Sequence, residues 1–248
     1  MVGKTSDLLD QGIPGHLNVA QWAASAMLGH FDELRGKVIT NATDKTASLS
    51  QDWQDFFTHL GEEGWNDLDR KIDSLAKQIK DNGITYNVYA DAGGPQRPWS
   101  LDLFPMIVPT NDWHDIEKGV LQRVRLMEYI MSDVYGAQSL LTSGMLPSAL
   151  VHGHPGYLRS MHGVTPVGGN HLHIVAFDLA RGADGRWWVV SQRTQAPSGL
   201  GYLLENRLSI SRLFSQPFEQ MKVQHLAATY RAMMDGIKSM SPAGARAH

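Results

Sequence analysis

Apolar residues recur along this chain at two periods, and each period marks out its own elements. Over Trp65–Lys80, Leu68, Ile72, Leu75 and Ile79 fall at i, i+4, i+7 and i+11, one face of an amphipathic helix, and Gly83 stands where that helix ends. A longer helix is predicted over Trp113–Tyr135. There Ile116, Val120, Val124, Met127, Met131 and Val134 keep the helical period, Asn111 or Asp112 is placed to cap the start, and Gly136 stops it. Its opposite face carries Glu117, Arg123, Arg125 and Glu128, which read as a solvated surface. Shorter helical signals lie at Asn18–Met27, at Gln138–Leu150 with an end near Pro147, and from about Phe218 to Lys238.

The second period is two, the mark of a strand with one covered face. Ile84–Tyr89 alternates in this way and runs into a turn at Asp91–Pro95. Leu101–Val108 reads as extended, with Pro105 and Pro109 confining it to an edge or an irregular path. His171–Asp178 reads as a strand closed by Asp178. Ala183-Asp184-Gly185 supplies turn chemistry, and Arg186–Gln192, with two Trp and two Val, reads as the return strand. Pro197-Ser198-Gly199-Leu200-Gly201 then breaks the pattern, and the resulting loop is expected to carry the polar cluster Glu205-Asn206-Arg207. Gly36–Ser50 is rich in Thr, Ser, Asn and Asp and reads as a loop. The expected organisation is an N-terminal arm over residues 1–50, one domain over 51–240 and a frayed tail over 241–248. The fold class is α/β or α+β, with a mixed, largely antiparallel sheet and flanking helices.

Composition narrows the function classes. A chain of 248 residues with 42% hydrophobic residues can bury a core. Its net charge of −3 leaves no electrostatic footprint for nucleic acid or an anionic membrane. With no cysteine, disulfides and thiolate metal sites are excluded. No run approaches the roughly 18 apolar residues of a membrane span, and Asn18 and Gln21 interrupt the early apolar stretch. A cytoplasmic protein without nucleic-acid or membrane partners is the expectation. Five of the eleven histidines fall between His152 and His173. His152/His154 and His171/His173 are each spaced i, i+2, so on strands both imidazoles of a pair would face one side, as a zinc or iron site requires. Ordinary core or surface histidines explain the same residues, and no His-Glu-x-x-His motif is present.

The blocks DLARGADGRWWV, RTQAPSGLGY and LENR resemble the circularly permuted ATP-grasp proteins. GITYNVYAD, RPWSLDLFP, VLQRVRLM, LVHGHPGYLR and HGVTPVGG occur in the same order as in that family, and FDELRG resembles a block near its N-terminus. The resemblance runs from about Trp53 to Tyr230 and matches the N-terminal half of such proteins, so an ATP-grasp-like partial fold is implied. It implies ATP and magnesium as cofactors, and ligation of a small-molecule or peptide carboxylate to an amine through an acyl-phosphate. Family members are usually about twice as long, so the chain corresponds to a fragment or to a natural half-protein, and in the second case a partner chain would supply the second lobe.

The resemblance also assigns residues. Asp178 and Glu205, assisted by Asn206, would hold the metal. Arg159, Arg193 and Arg207 would neutralise phosphate or acyl-phosphate charge, and Ser198, Gly199 and His173 would contact the nucleotide. The helix carrying Arg123 would lie beside the site. One departure bears on all of this. Many relatives carry carboxylates near the end of the return strand, where this chain has Ser191-Gln192-Arg193, and a hydroxyl, an amide and a guanidinium do not substitute for anionic ligands. Two alternatives therefore stand beside the ligase: a catalytically degenerate, half-length binding protein, and a His-dependent metalloprotein.

Overall fold

The structure, a computed structural model, describes residues 23–83, 99–195 and 197–241. Two short strands, β1 (Phe31–Asp32) and β2 (Lys37–Val38), come first, followed by helices α1 (Gln51–Asn66), α2 (Leu68–Asp81), α3 (Thr110–Val134), α4 (Ser139–Thr142) and α5 (Ser148–His152). The hairpin strands β3 (Ala176–Arg181) and β4 (Trp187–Arg193) follow, then α6 (Leu200–Leu213), α7 (Ser215–Gln220) and α8 (Ala227–Ser239). The α+β class expected from the sequence holds. Among the described residues the strands form two small sheets, β1–β2 and β3–β4. The chain divides into two compact units: Met1–Ile107, Arg181–Arg186 and Gly199–Ala228 make the first, and Val108–Ala180, Trp187–Ser198 and Thr229–His248 the second.

In the first unit, Trp53, Phe56, Phe57 and Leu60 stand at i, i+3, i+4 and i+7 of α1 and are all buried. They form the core with Leu49, Leu68 and Phe214, and Trp65, Leu103, Ile107, Ile210, Leu213 and Met221 pack around it. The sequence reading passes over α1 because two glycines interrupt it. Gly61 (φ 66°, ψ 177°) breaks the helix one residue after its last buried apolar position. The helix expected over Trp65–Lys80 is accordingly split: Trp65 and Asn66 are the last residues of α1, and α2 begins after Asp67. Leu68, Leu75 and Ile79 are buried as their spacing predicts, whereas Ile72 is 40% exposed.

The stretch read as an arm and loop also has built structure. Phe31 pairs with Val38 and Asp32 with Lys37. Asp32 and Arg35 are both buried, at 4% and 5% exposure, an arrangement whose desolvation cost is offset in part by the hydrogen bonds the pair makes. The Asp32 carboxylate accepts the backbone N–H groups of Ala26 (2.8 Å) and Arg35 (2.9 Å) and Arg35 Nη1 (3.0 Å), while Arg35 Nη2 donates to the Ala23 carbonyl (3.1 Å).

In the second unit, α3 starts three residues before the expected Trp113, after Pro109, with no side-chain cap. The face named from the sequence is the covered one: Val134 is buried and Ile116, Val120, Val124, Met127 and Met131 are half-buried. The helix expected over Gln138–Leu150 is two short ones, α4 and α5, separated by Gly144 (φ +74°) and Pro147. The tract from Phe218 to Lys238 is likewise interrupted between α7 and α8. Residues 99–109 form no regular element, in keeping with their prolines. The strand expected at Ile84–Tyr89, the turn at Asp91–Pro95, the first half of the helix expected at Asn18–Met27 and nearly all of the tail lie outside the described residues, and residues 23–27, the second half of that helix, are not helical.

The β3–β4 hairpin turns where the sequence places the turn. The Gly182 N–H donates to the Arg186 carbonyl (2.7 Å) and the Gly185 N–H to the Gly182 carbonyl (2.9 Å), with Gly185 at φ +82°. This is a three-residue loop closed by a left-handed residue. The first strand, however, runs over Ala176–Arg181 and not His171–Asp178, so Asp178 lies inside it rather than closing it. In the first unit the hairpin tip meets β1. A Cβ at Gly185 would lie 2.8 Å from Phe31 Cδ2, the Arg181 guanidinium sits 4.3 Å from the centre of that ring, and Arg181 Nε donates to Glu33 (2.8 Å).

Gly185→Ala therefore carries two penalties, a positive φ and a clash with an aromatic ring. We expect it to cost roughly 2–3 kcal/mol, a fall in melting temperature of roughly 5–10 °C. In a Phe31→Ala background the ring penalty disappears and only the φ penalty remains. Thermal unfolding of the four-protein cycle should thus show a coupling of at least about 1 kcal/mol; additive effects would show that the ring does not press on the tip.

Candidate functional site

The polar residues of the hairpin are organised around Asp178. Strand β3 alternates covered Phe177, Leu179 and Arg181 with exposed Asp178 and Ala180, and β4 alternates covered Trp187 and Val189 with exposed Trp188 and Val190. Beyond Val190 β4 is exposed throughout, and there the Ser191 hydroxyl donates to Asp178 Oδ2 and Arg193 Nη2 donates to Asp178 Oδ1 at 2.7 Å. Ser191 and Arg193, two of the three residues in the stretch where the chain departs from the family pattern, thus occupy the carboxylate, and Gln192 does not. All three residues belong to the second unit.

Magnesium needs an oxygen-rich set of ligands, usually one or two carboxylates with water and phosphate. The surroundings of Asp178 offer one carboxylate, a hydroxyl whose proton is directed at it, and a guanidinium. Among the described residues no three His, Asp or Glu side chains converge on a point that could hold a metal ion. The residues around Asp178 do not fit the metal that the resemblance implies.

The histidines are engaged separately. His152 ends helix α5, against the edge of Tyr157 (5.1 Å between centroids), and His154 Nδ1 accepts the Gly156 N–H (3.0 Å). His162 Nε2 lies 2.9 Å from the Gly136 carbonyl. His171 stacks on Tyr135, and exposed His173 precedes β3. Neither i, i+2 pair lies on a strand, so the geometry that spacing would have given two imidazoles is not formed.

Glu128, read from the sequence as part of a solvated helix face, instead anchors the segment that enters β3. Its Oε1 accepts the His171 N–H (2.8 Å) and lies 2.9 Å from His171 Nδ1, and its Oε2 accepts the Leu172 N–H (2.9 Å). Burial acts to raise its pKa. The backbone N–H and imidazole of His171 and the Leu172 N–H together outweigh that, and the carboxyl sits below its ordinary value. No local pattern around Glu128 signals this role, because its partners are more than forty residues away.

The remaining site residues of the second unit are dispersed. Arg159 opens an exposed 3₁₀ turn (Arg159–Met161), and Ser198 is exposed in the loop before α6. The rest belong to the first unit. Glu205, Asn206 and Arg207 are not on a loop: Leu204, Leu208 and Ser211 keep a helical spacing, and the whole block lies in α6 with Gly199 (φ +114°) as its N-cap residue. Glu205 accepts Asn82 Nδ2 (2.8 Å), and Asn206 Oδ1 accepts the indole N–H of Trp99 (3.1 Å), whose ring stacks on Tyr202 (4.7 Å). Arg207 differs. Its guanidinium lies 5.7 Å from the Phe218 ring centre, burial pulls its pKa down, and it has no carboxylate partner among the described residues.

Because Glu128 has a depressed folded-state pKa, its contribution to stability is complete above the ordinary carboxylate value of 4.5 and is lost as pH falls through the folded value. Glu128→Gln should cost about 1–3 kcal/mol at pH 7, as expected for charge-assisted hydrogen bonds. The gap between the two proteins should shrink as pH falls through the lowered folded-state value of Glu128, where its carboxyl also becomes neutral. Urea unfolding of both proteins across that range measures it; a gap independent of pH would show that shape, not charge, is what Glu128 supplies.

Known proteins carry the same segments. An uncharacterized protein of Mycobacterium tuberculosis is 33% identical over 186 residues, which cover 72% of this chain and 21% of that protein. An uncharacterized protein of Synechocystis is 30% identical over 160 residues (64% and 33%), and one of Mycobacterium leprae 29% over 181 residues (73% and 32%). The chain thus spans between about a fifth and a third of the length of these curated relatives. The family model described as circularly permuted ATP-grasp type 2 matches residues 105–248, a stretch that takes in α3, the hairpin and α6, and the chain belongs to that family.

Proposed function

We propose that this chain contributes part of an ATP-dependent, carboxylate–amine ligase-like site of the ATP-grasp kind, and that the rest of the site comes from outside these residues, through further sequence or a partner chain. The family match over residues 105–248 carries the reading. In it, Arg207, Arg193 and Arg159 meet the charge of phosphate or acyl-phosphate, and the Ser198-Gly199 loop, leading into the N-terminus of α6, directs backbone N–H groups at it. His173 contacts the nucleotide, and the substrates are small-molecule or peptide carboxylates and amines.

Two observations support this assignment. Arg207 is a partly desolvated cation without a carboxylate partner among the described residues, and an arriving anion would supply one. In the second unit, Leu126 and Tyr129 on α3 and Trp188 and Val190 on β4 are each more than half exposed, large hydrophobic side chains that further protein would cover. Glu205 and Asn206 already serve Asn82 and Trp99, so their part here is to hold α6 and Trp99 in place. The binding-protein alternative shares the anion site and differs only in lacking turnover.

The test is a titration of the 248-residue chain with ATP, followed by an ADP-release assay with a panel of amino acids. We expect weak ATP binding, weakened about tenfold further in Arg207→Ala, the usual effect of losing one charge-assisted hydrogen bond. We expect no ADP release above background, since catalysis by positioning needs both walls of a site. Absence of any ATP binding would sink the nucleotide assignment, and robust turnover would sink the idea that other protein completes the site.

A further inference from the structure

The geometry points to Arg193 as a built-in cation that takes the place of a divalent metal ion at Asp178 and offers its remaining donors to an anionic ligand. The question arises from the ligase-like reading, but the answer rests on the hairpin alone. Asp178 Oδ1 receives Arg193 Nη2 at 2.7 Å, and Oδ2 receives the Ser191 hydroxyl. A magnesium ion bound to Oδ1 would sit about 2.0–2.1 Å from it, hence within roughly 5 Å of Arg193 Nη2, and one on Oδ2 within roughly 7 Å. At those distances two positive charges repel strongly, and among the described residues Arg193 pairs with no second carboxylate that would offset them. A hydroxyl that spends its proton on the same carboxylate adds no negative charge.

The pair is also open to a ligand. The side chains of Arg193 and Asp178 are 58% and 47% exposed, and the guanidinium uses one of its five N–H groups on Asp178. Planar donors of this kind match phosphate or carboxylate oxygens in a bidentate way. Asp178 then acts as a positioning residue: it fixes the guanidinium at the end of β4 and balances its charge when no anion is bound. Arg186 shows the contrast. Its Nε is tied to Asp184 two residues away, at the turn, and only local geometry follows from it.

The test uses Mn²⁺ as the probe, followed by the electron paramagnetic resonance signal of the free ion. The proteins are the 248-residue chain, Asp178→Asn, Arg193→Gln, and the double variant Ser191→Glu/Arg193→Gln. The starting chain and Asp178→Asn should bind Mn²⁺ alike, with no Asp178-dependent site tighter than about 1 mM. Arg193→Gln should bind at least about tenfold more tightly, because the repelling charge is gone, and the double variant tighter still. A Mn²⁺ site in the starting chain that disappears in Asp178→Asn would overturn the inference. So would an Arg193→Gln protein that binds no better while the double variant does. Circular dichroism establishes that each variant is folded, and the comparison of the starting chain with Asp178→Asn decides the matter even if the others are not. ATP binding is not read in this experiment, so its outcome and that of the ligase-like reading are separable.

Discussion

The site-bearing helix α6 is held at its C-terminal end by Phe214, and the rest of the first unit is arranged around that ring. Phe214 is 2% exposed and packs on Phe56 (5.3 Å between centroids) and Phe104 (6.1 Å). Burying a ring of this size contributes about 1.5–3 kcal/mol before the aromatic geometry is counted. Lys71 closes the same end from α2: its ammonium donates to the Leu213 carbonyl (3.0 Å) and lies 5.9 Å from the Phe214 ring centre. A cation is favourable at a helix C-terminus, where carbonyls are left without intrahelical donors. With Ile210, Leu213 and Phe214 fixed in the core, a rigid helix fixes the direction of Arg207 one turn earlier and of Glu205 and Asn206 beyond it. The hydrogen bonds from Asn82 and Trp99 then act on side chains that the backbone has already aimed.

Periodicity made the longest elements legible. In α3 the six apolar positions named from the sequence are the covered ones, because a long helix averages out local exceptions. The hairpin turn was legible for a different reason: an Ala-Asp-Gly loop puts a left-handed conformation where only glycine takes it without strain. What failed, failed at interruptions. Gly61 concealed α1 although Trp53, Phe56, Phe57 and Leu60 carry a full helical signature. Pro197, Gly199 and Gly201 made the LENR block look like a loop, when Gly199 is the N-cap residue of α6 and Gly201 lies in its first turn. Glycine marks a break without saying which side of it is regular.

The partners of the site residues were less legible than the elements. Glu128 with His171, Asn82 with Glu205 and Trp99 with Asn206 are joined across 43, 123 and 107 positions of sequence. No local window contains such pairs, and a carboxylate on the polar face of a helix looks the same whether water or a backbone N–H answers it. The buried Asp32–Arg35 pair is the reverse case. Its members are three residues apart, yet charged side chains are so seldom fully buried that a sequence reading assigns them to the surface.

Charge accounting within each unit, taken by itself, gives the hairpin and α6 a similar character. At the hairpin the Asp178 carboxylate is balanced by the adjacent Arg193 guanidinium. On α6 the carboxylate of Glu205 accepts a neutral amide, while Arg207 is partly desolvated without an acidic partner among the described residues. Desolvation makes a cation more responsive to an anion, because less water must be displaced when the two meet and the local dielectric is lower. A surface ion pair such as Asp178–Arg193, in contrast, contributes little to stability and is easily exchanged. The same weakness that makes it a poor structural element lets an anionic ligand compete for its guanidinium. The family blocks of this chain are therefore better suited to receiving negatively charged oxygens directly than to gathering them through a metal held by their own carboxylates.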